Sequence, residues 1–304
     1  MKTALVTGGY GFIGRYVSRE LASRGYRVVG LGHGAWGRDE WRQWGISEWR
    51  SCSITLDGLL THAGEPDVIV HCAGSGSVGF SMTHPAQDFD RTVATTLSVL
   101  EFVRLHQPQA MLVLPSSAGV YGKAEAMPIA VNDVLQPVSP YGLHKKMAED
   151  LCRGYGRSFG IRCASVRLFS IFGIGLRKQL LWDACGKFAE GRPDFAGTGE
   201  ETRDWLHVED AARLLVAAAA HASPACPVAN GGTGEAVTIS AILNAVARHF
   251  GAGLSPKFSG VVRPGDPAHY QADISEAEAW GWTPEKTLEA EIARYVAWYK
   301  DGAP

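Results

Sequence analysis

One fourteen-residue stretch constrains this chain more than any other. Lys2 to Val6 is a short apolar run, and Thr7-Gly8-Gly9-Tyr10-Gly11-Phe12-Ile13-Gly14 follows at once. Phe12, Ile13, Tyr16, Val17 and Leu21 then recur at helical spacing until Gly25 stops the pattern. Strand, glycine turn and helix in immediate succession open a βαβ unit of the dinucleotide-binding kind. Gly8 can take backbone angles that a side chain would forbid. Gly11 lets a diphosphate approach the main chain, and Gly14 lets helix and strand close up. The helix start, at Phe12 and Ile13, then offers free N–H groups and partial positive charge to phosphates.

Later segments extend the alternation. Tyr26 to Leu31, Asp67 to Cys72, Ala110 to Pro115 and Ile161 to Leu168 read as strands, the last three as continuous apolar runs suited to burial on both faces. Pro85 to His106 and Pro140 to about Phe159 read as helices. The fold class expected is α/β, a Rossmann-type doubly wound parallel sheet with a smaller, interleaved C-terminal lobe for the substrate. Residues 1 to 166 would form the dinucleotide lobe, with about 206–230 returning to it. Residues 167–205 and 231–304 would form the substrate lobe. With 304 residues, 46% of them hydrophobic, the chain has ample core for this.

Charge and cysteine usage narrow the partners. A net charge of −2 implies neither nucleic acid nor membrane, and the longest aliphatic run, Leu214 to Ala220, is too short to span a bilayer. Six cysteines lie scattered with no C-x-x-C pair, which fits buried thiols in a reducing cytosol and no metal site. A cytoplasmic location is therefore expected.

Three motifs carry a family likeness. The glycine turn has G-x-x-G-x-x-G spacing. Ser116-Ser117-Ala118-Gly119-Val120-Tyr121-Gly122 ends the Ala110 strand. Tyr141-Gly142-Leu143-His144-Lys145 follows a helix start at Ser139-Pro140. Together these resemble the extended short-chain dehydrogenases. The resemblance implies a catalytic Ser117, Tyr141 and Lys145, with Tyr141 and Lys145 also at the nicotinamide ribose. The chemistry is coherent. A free tyrosine has a pKa of about 10. Tyr141 and Lys145 lie i and i+4 on one helix face, where an ammonium within a few ångströms favours phenolate, as does an oxidised nicotinamide ring. His71-Cys72-Ala73-Gly74 resembles the family's turn beneath the cofactor, so Ala73 and Gly74 are expected to touch it, while His71 reads as a packed strand-end residue. Thr92 stands where the family often has Asn.

The grip on the adenosine end departs from the family. The second strand runs into Gly30-Leu31-Gly32-His33-Gly34, with no carboxylate for the ribose of NAD. His33 and Arg38 lie just beyond, which tilts modestly toward a 2′-phosphate and leaves NAD or NADP open. Trp36, Trp41, Trp44 and Trp49 crowd the following segment. They either form a satellite hydrophobic cluster or cover the adenine.

Beyond residue 166 the chain resembles nucleotide-sugar enzymes of the UDP-galactose 4-epimerase type. Arg167-Leu168-Phe169-Ser170-Ile171-Phe172-Gly173, Gly197-Thr198-Gly199 with Arg203-Asp204-Trp205-Leu206-His207-Val208, and Arg263-Pro264-Gly265-Asp266 carry it. It implies phosphate contacts from Arg203 and Arg263, a sugar-diphosphate contact near Ser170, and substrate contact by Ser117; Arg177 is a further candidate. The expected function is hydride transfer at a hexose carbon of a nucleotide-diphosphate sugar, C4 by preference, with a 4-epimerase favoured. An NADPH-dependent NDP-4-keto-6-deoxyhexose reductase and a catalytically silent dinucleotide sensor are the alternatives. The family also implies a homodimer.

Overall fold

The structure, a computed structural model, describes residues 1–251, 253–261 and 268–302. Its frame is a seven-stranded sheet. Strands β1 (Thr3–Thr7), β2 (Arg27–Gly32), β3 (Ile46–Ser51), β4 (Val68–His71), β5 (Met111–Ser117) and β6 (Arg162–Leu168) join Val228–Gly231. From one edge the order is Val228–Gly231, β6, β5, β4, β1, β2, β3, and every neighbouring pair is parallel. The chain builds outward from β1 through β2 to β3, then crosses back to place β4 on the other side of β1. That reversal leaves a crevice beyond the carboxyl ends of β1 and β4, the usual ligand position in open sheets of this kind.

Strand periodicity explains the two layers. Ala4 and Val6 face one cluster, with Val17, Leu21, Leu214 and Leu215, while Leu5 between them faces another, with Leu59, Val99, Leu100 and Leu112. Helix α1 (Phe12–Ser23) and helix Val208–Ala218 cover the first face. A third cluster, around Phe172, Leu181, Phe188, Trp205, Leu243 and Tyr295, lies among elements outside that sheet. Three short pairings lie outside the sheet, Ser170–Phe172 with Trp205–His207, Thr202–Arg203 with Val237–Thr238, and Asp194–Phe195 with Lys257–Phe258.

Two elements differ from expectation. The β3 strand was not legible in the sequence, because Ile-Ser-Glu-Trp-Arg-Ser is a half-exposed edge with one fully apolar position. The helix expected over Pro85–His106 is interrupted at Asp90–Ala94 by a wider, π-type turn. Thr95 and Thr96 there donate their hydroxyls back to Arg91 O (2.7 Å) and Thr92 O (2.6 Å), a pattern that loosens a helical ladder. Helix Pro140–Phe159 is as its sequence demands. Ser139 caps it by accepting from Gly142 N at 3.2 Å, Pro140 sits in the first turn, and Gly160 ends it at φ 70°.

Candidate active site

The glycine turn forms a cradle at the crevice. Gly8 has φ 70°, and a Cβ there would lie 2.6 Å from Ala73 N. At Gly14 a Cβ would lie 2.2 Å from Gly8 O, so helix and strand approach to main-chain contact. Gly11 is exposed, and its N–H donates to Gly8 O at 2.8 Å. It precedes α1 with no side-chain hydrogen bond capping the first turn, so the opening N–H groups of the helix are left for a ligand. A backbone cradle beside a free helix start fits the diphosphate of a dinucleotide, and Gly8, Gly11, Phe12, Ile13 and Gly14 would hold it.

Aromatics pack around the glycine turn and the end of β2. Trp49 lies across Gly9 and Gly30, where added Cβ atoms would come within 3.3 and 2.9 Å of its ring. Trp36 packs edge-on against Tyr10 at 4.8 Å and Trp49 at 5.8 Å, and the Arg15 guanidinium sits 4.6 Å over both Tyr10 and Trp36. The tryptophans thus join a cluster against α1. Gly32, in the stretch that lacks the carboxylate of the family, has φ 143°, and a Cβ there would lie 3.3 Å from Gly8 N. His33 and Arg38 are exposed beyond it.

Next to the cradle lies the loop after β4. His71 is buried, with Nδ1 2.7 Å from Thr7 Oγ1 and Nε2 3.3 Å from Thr95 Oγ1. Burial, aided by the Lys145 charge, pushes its pKa down to about 3, so the ring is a neutral packing group. Thr92 accepts from Ser75 N at 3.3 Å. A Cβ on Gly74 would lie 3.8 Å from Lys145 Nζ, which puts that amine under the loop carrying Ala73 and Gly74.

Ser117, at the end of β5, and Tyr141, in the first turn of its helix, meet in one cleft of about 220 Å³. Ser170, Arg203, Phe169 and Tyr270 close its other side. The Tyr141 phenol and the Ser117 side chain face the same cleft, and Ser117 Oγ accepts from Gly119 N at 3.1 Å. Four of the sequence candidates therefore share one space. Lys145 behaves differently from the expectation. Its ammonium donates to Pro115 O at 2.9 Å, and burial lowers its pKa to about 8. The phenol is governed by its own burial, which raises its pKa; the Ser117 hydroxyl beside it lowers it and the Asp88 carboxylate raises it further. Spacing put both residues on one helix face, and the lysine's ammonium is held at the end of β5.

Beneath the cleft lies a buried polar network. Arg167 pairs with Glu149 through Nε–Oε1 (3.1 Å) and Nη2–Oε2 (2.9 Å), and Ser116 donates to the same carboxylate at 2.6 Å. Arg167 also reaches Tyr121 Oη at 2.9 Å, and Tyr121 donates to Asn230 at 2.6 Å, which ties the edge strand to the site. Asp204 beside Arg203 is structural. It accepts from Thr233 N, Gly234 N and Ala272 N at 2.6 to 3.1 Å.

The remaining candidates stand apart. Arg177 is exposed, 5.9 Å over the Trp298 ring, and is not in the cleft wall. Its neighbour Lys178 reaches across instead, to Gly76 O at 3.3 Å. Arg263 lies outside the described residues. Sequence reasoning missed Phe169 and Tyr270 as cleft walls, because no local pattern distinguishes a cleft-facing aromatic from a packed one. Among the described residues no cluster of side chains could hold a metal, and no helix is long and apolar enough to cross a membrane.

Comparison with known proteins agrees with this geometry. A putative UDP-glucose 4-epimerase of Methanocaldococcus jannaschii is 28% identical, covering 98% of both chains. UDP-glucose 4-epimerase 4 of Oryza sativa subsp. japonica is 31% identical over 91% of this chain and 84% of its own. The crystal structure of UDP-glucose 4-epimerase from Brucella ovis in complex with NAD superposes with a TM-score of 0.86 at 26% identity, covering 98% of each chain. The sequence profile of the NAD dependent epimerase/dehydratase family matches residues 4–230, and the chain belongs to that family.

Proposed function

We propose that this protein is an NAD-dependent 4-epimerase of a uridine-diphosphate hexose. The observation that carries the reading is the shared cleft. The Tyr141–Ser117 pair stands at the sheet's switch-point crevice, beside the glycine cradle and across from Ser170 and Arg203. The named relatives supply the substrate class and the cofactor.

Bound NAD supplies the acceptor and donor of hydride at the sugar carbon. The chain's own groups handle the proton. Ser117 holds the sugar hydroxyl oxygen and Tyr141 moves its proton. Burial keeps the phenol protonated, so the protein's own groups prepare Tyr141 to give a proton. Taking one requires added positive charge, which an oxidised nicotinamide carries. Lys145, beneath Gly74, is placed for the nicotinamide ribose. Arg203 presents a permanent charge to the diphosphate, and Phe169 and Tyr270 wall the cleft against water.

The test is interconversion of UDP-glucose and UDP-galactose by the purified protein. Tyr141→Phe should lower kcat by about 10²–10⁴ with little change in NAD affinity. Turnover surviving in that variant would remove Tyr141 from the chemistry. A second reading, an NADPH-dependent ketoreductase, draws on Gly32, where no carboxylate repels a 2′-phosphate. Mass spectrometry of cofactor released from fresh protein separates the two. Retained NAD supports the epimerase, and an empty site that takes NADPH supports the reductase.

We also propose a homodimer. Phe89, Leu97, Leu143, Met147 and Phe159 are exposed on the two helices expected to pair, and Val93, Leu151 and Tyr155 line a groove between them. Light scattering at micromolar concentration should give twice the chain mass of 32.6 kDa.

A further inference from the structure

Three residues past Tyr141, the same helix carries a buried histidine with a buried acidic partner. His144 Nδ1 lies 2.6 Å from Asp88 Oδ2, and Asp88 is fully inaccessible to solvent. The other carboxylate oxygen, Oδ1, is buried without a hydrogen-bond partner among the described residues. Leaving such an atom unsatisfied is costly, and a carboxylate held this way pairs or acts on something close by. The neighbouring cations are occupied elsewhere. Arg91, on the next turn, lies 4.6 Å over the Phe80 ring, and His84 stacks on the same ring at 4.9 Å. Asp90 is exposed. Facing Asp88 is His144, bonded to it, and on the same helix Tyr141 lies one turn before His144 on the same face, with Lys145 directly after it. Lys145 also feels Glu149 and Cys72 from its far side.

We propose that Asp88, held by His144, is a positioning carboxylate for Tyr141, placing a buried negative charge against the turn of the helix that carries the phenol. The pair acts through Tyr141 and does not touch substrate. Its two members come from facing helices, so the bond also fixes how the first turn of the Tyr141 helix sits against the Pro85–Phe89 turn. Tyr141 N donating to Ser81 Oγ at 3.1 Å is the parallel anchor. The physical effect has a definite sign. A like charge near a forming phenolate raises the pH at which it forms, and burial strengthens that influence. The carboxylate thus biases Tyr141 toward holding its proton between the two halves of the reaction.

This inference rests on Tyr141 being the proton-transfer group, and the experiment separates the two claims. The pH profile of kcat/KM for UDP-glucose is measured for the parent, Asp88→Asn, and the paired Asp88→Leu/His144→Leu, which replaces both groups by apolar ones and guards against a misfolded single variant. Asp88→Asn should move the acid limb down by about one pH unit, so that a pH on the limb gives about tenfold more of the variant's own plateau rate. The paired variant should move it the same way. A merely structural role would lower the plateau and the melting temperature and leave the limb where it was, and that result would overturn the proposal. Tyr141→Phe is run alongside. If it still turns over, the functional reading itself fails. If it is dead and the limb is unmoved by loss of Asp88, only the inference fails.

Discussion

Glu149→Gln is the sharpest test of what holds the site in place. Glu149 is fully buried and Arg167 nearly so, and the pair is bidentate. The carboxylate also takes the Ser116 hydroxyl at 2.6 Å and Arg153 at 3.3 Å. Glutamine keeps the shape but offers an amide N–H₂ where Arg167 Nη2 needs an acceptor. One guanidinium is then left buried without its counter-charge. Breaking a buried pair from one side costs about 3–5 kcal/mol. With an unfolding entropy of about 2.1 cal/mol/K per residue, 304 residues translate that into a Tm lower by about 5–8 °C. The assay is reversible urea unfolding at pH 7 with a parallel thermal scan. Because Ser116 directly precedes Ser117, kcat should fall as well, even where the variant is fully folded. Replacing both partners by methionine should return part of the loss, since no bare charge remains. A Glu149→Gln protein that melts within 2 °C (about 1 kcal/mol) of the parent would refute the account of the network as an electrostatic anchor.

Two further outcomes follow from the geometry. In Gly14→Ala the new methyl would lie 2.2 Å from Gly8 O, so α1 must shift; stability should drop by about 1–3 kcal/mol and calorimetry should show weakened NAD binding, while unchanged NAD affinity would mean the cradle is not the diphosphate site. His71 should make the protein acid-sensitive. Its pKa is about 3 folded and about 6.5 when unfolded, so the unfolded chain binds the extra proton between those values, and stability falls as pH drops below 6.5 by up to about 1.4 kcal/mol per unit. In His71→Gln the slope of unfolding free energy between pH 6 and 4 should be shallower by about one proton; equal slopes would show that another group carries the acid sensitivity.

Local chemistry alone determined a good deal of this protein. The glycine turn was legible because it demands glycine at a positive φ and at a main-chain contact, and neither demand depends on the rest of the fold. The strands β1, β2, β4, β5 and β6 were legible because burial on both faces leaves continuous apolar runs. Pro140 and Ser139 announced a helix start by their own hydrogen-bonding limits. Tertiary structure decided the rest. The half-exposed β3 edge carries no periodic signal, and its place follows from Trp49 packing over Gly9 and Gly30. Helical spacing placed Tyr141 and Lys145 on one face, but only the neighbouring β5 carbonyl decided where the lysine's charge goes. Nothing in the chain near Asp88 points to His144, fifty-six residues away. A hydrogen bond between two helices is a fact of distance in space, and a one-dimensional pattern records neither the distance nor the cost of burying the charge.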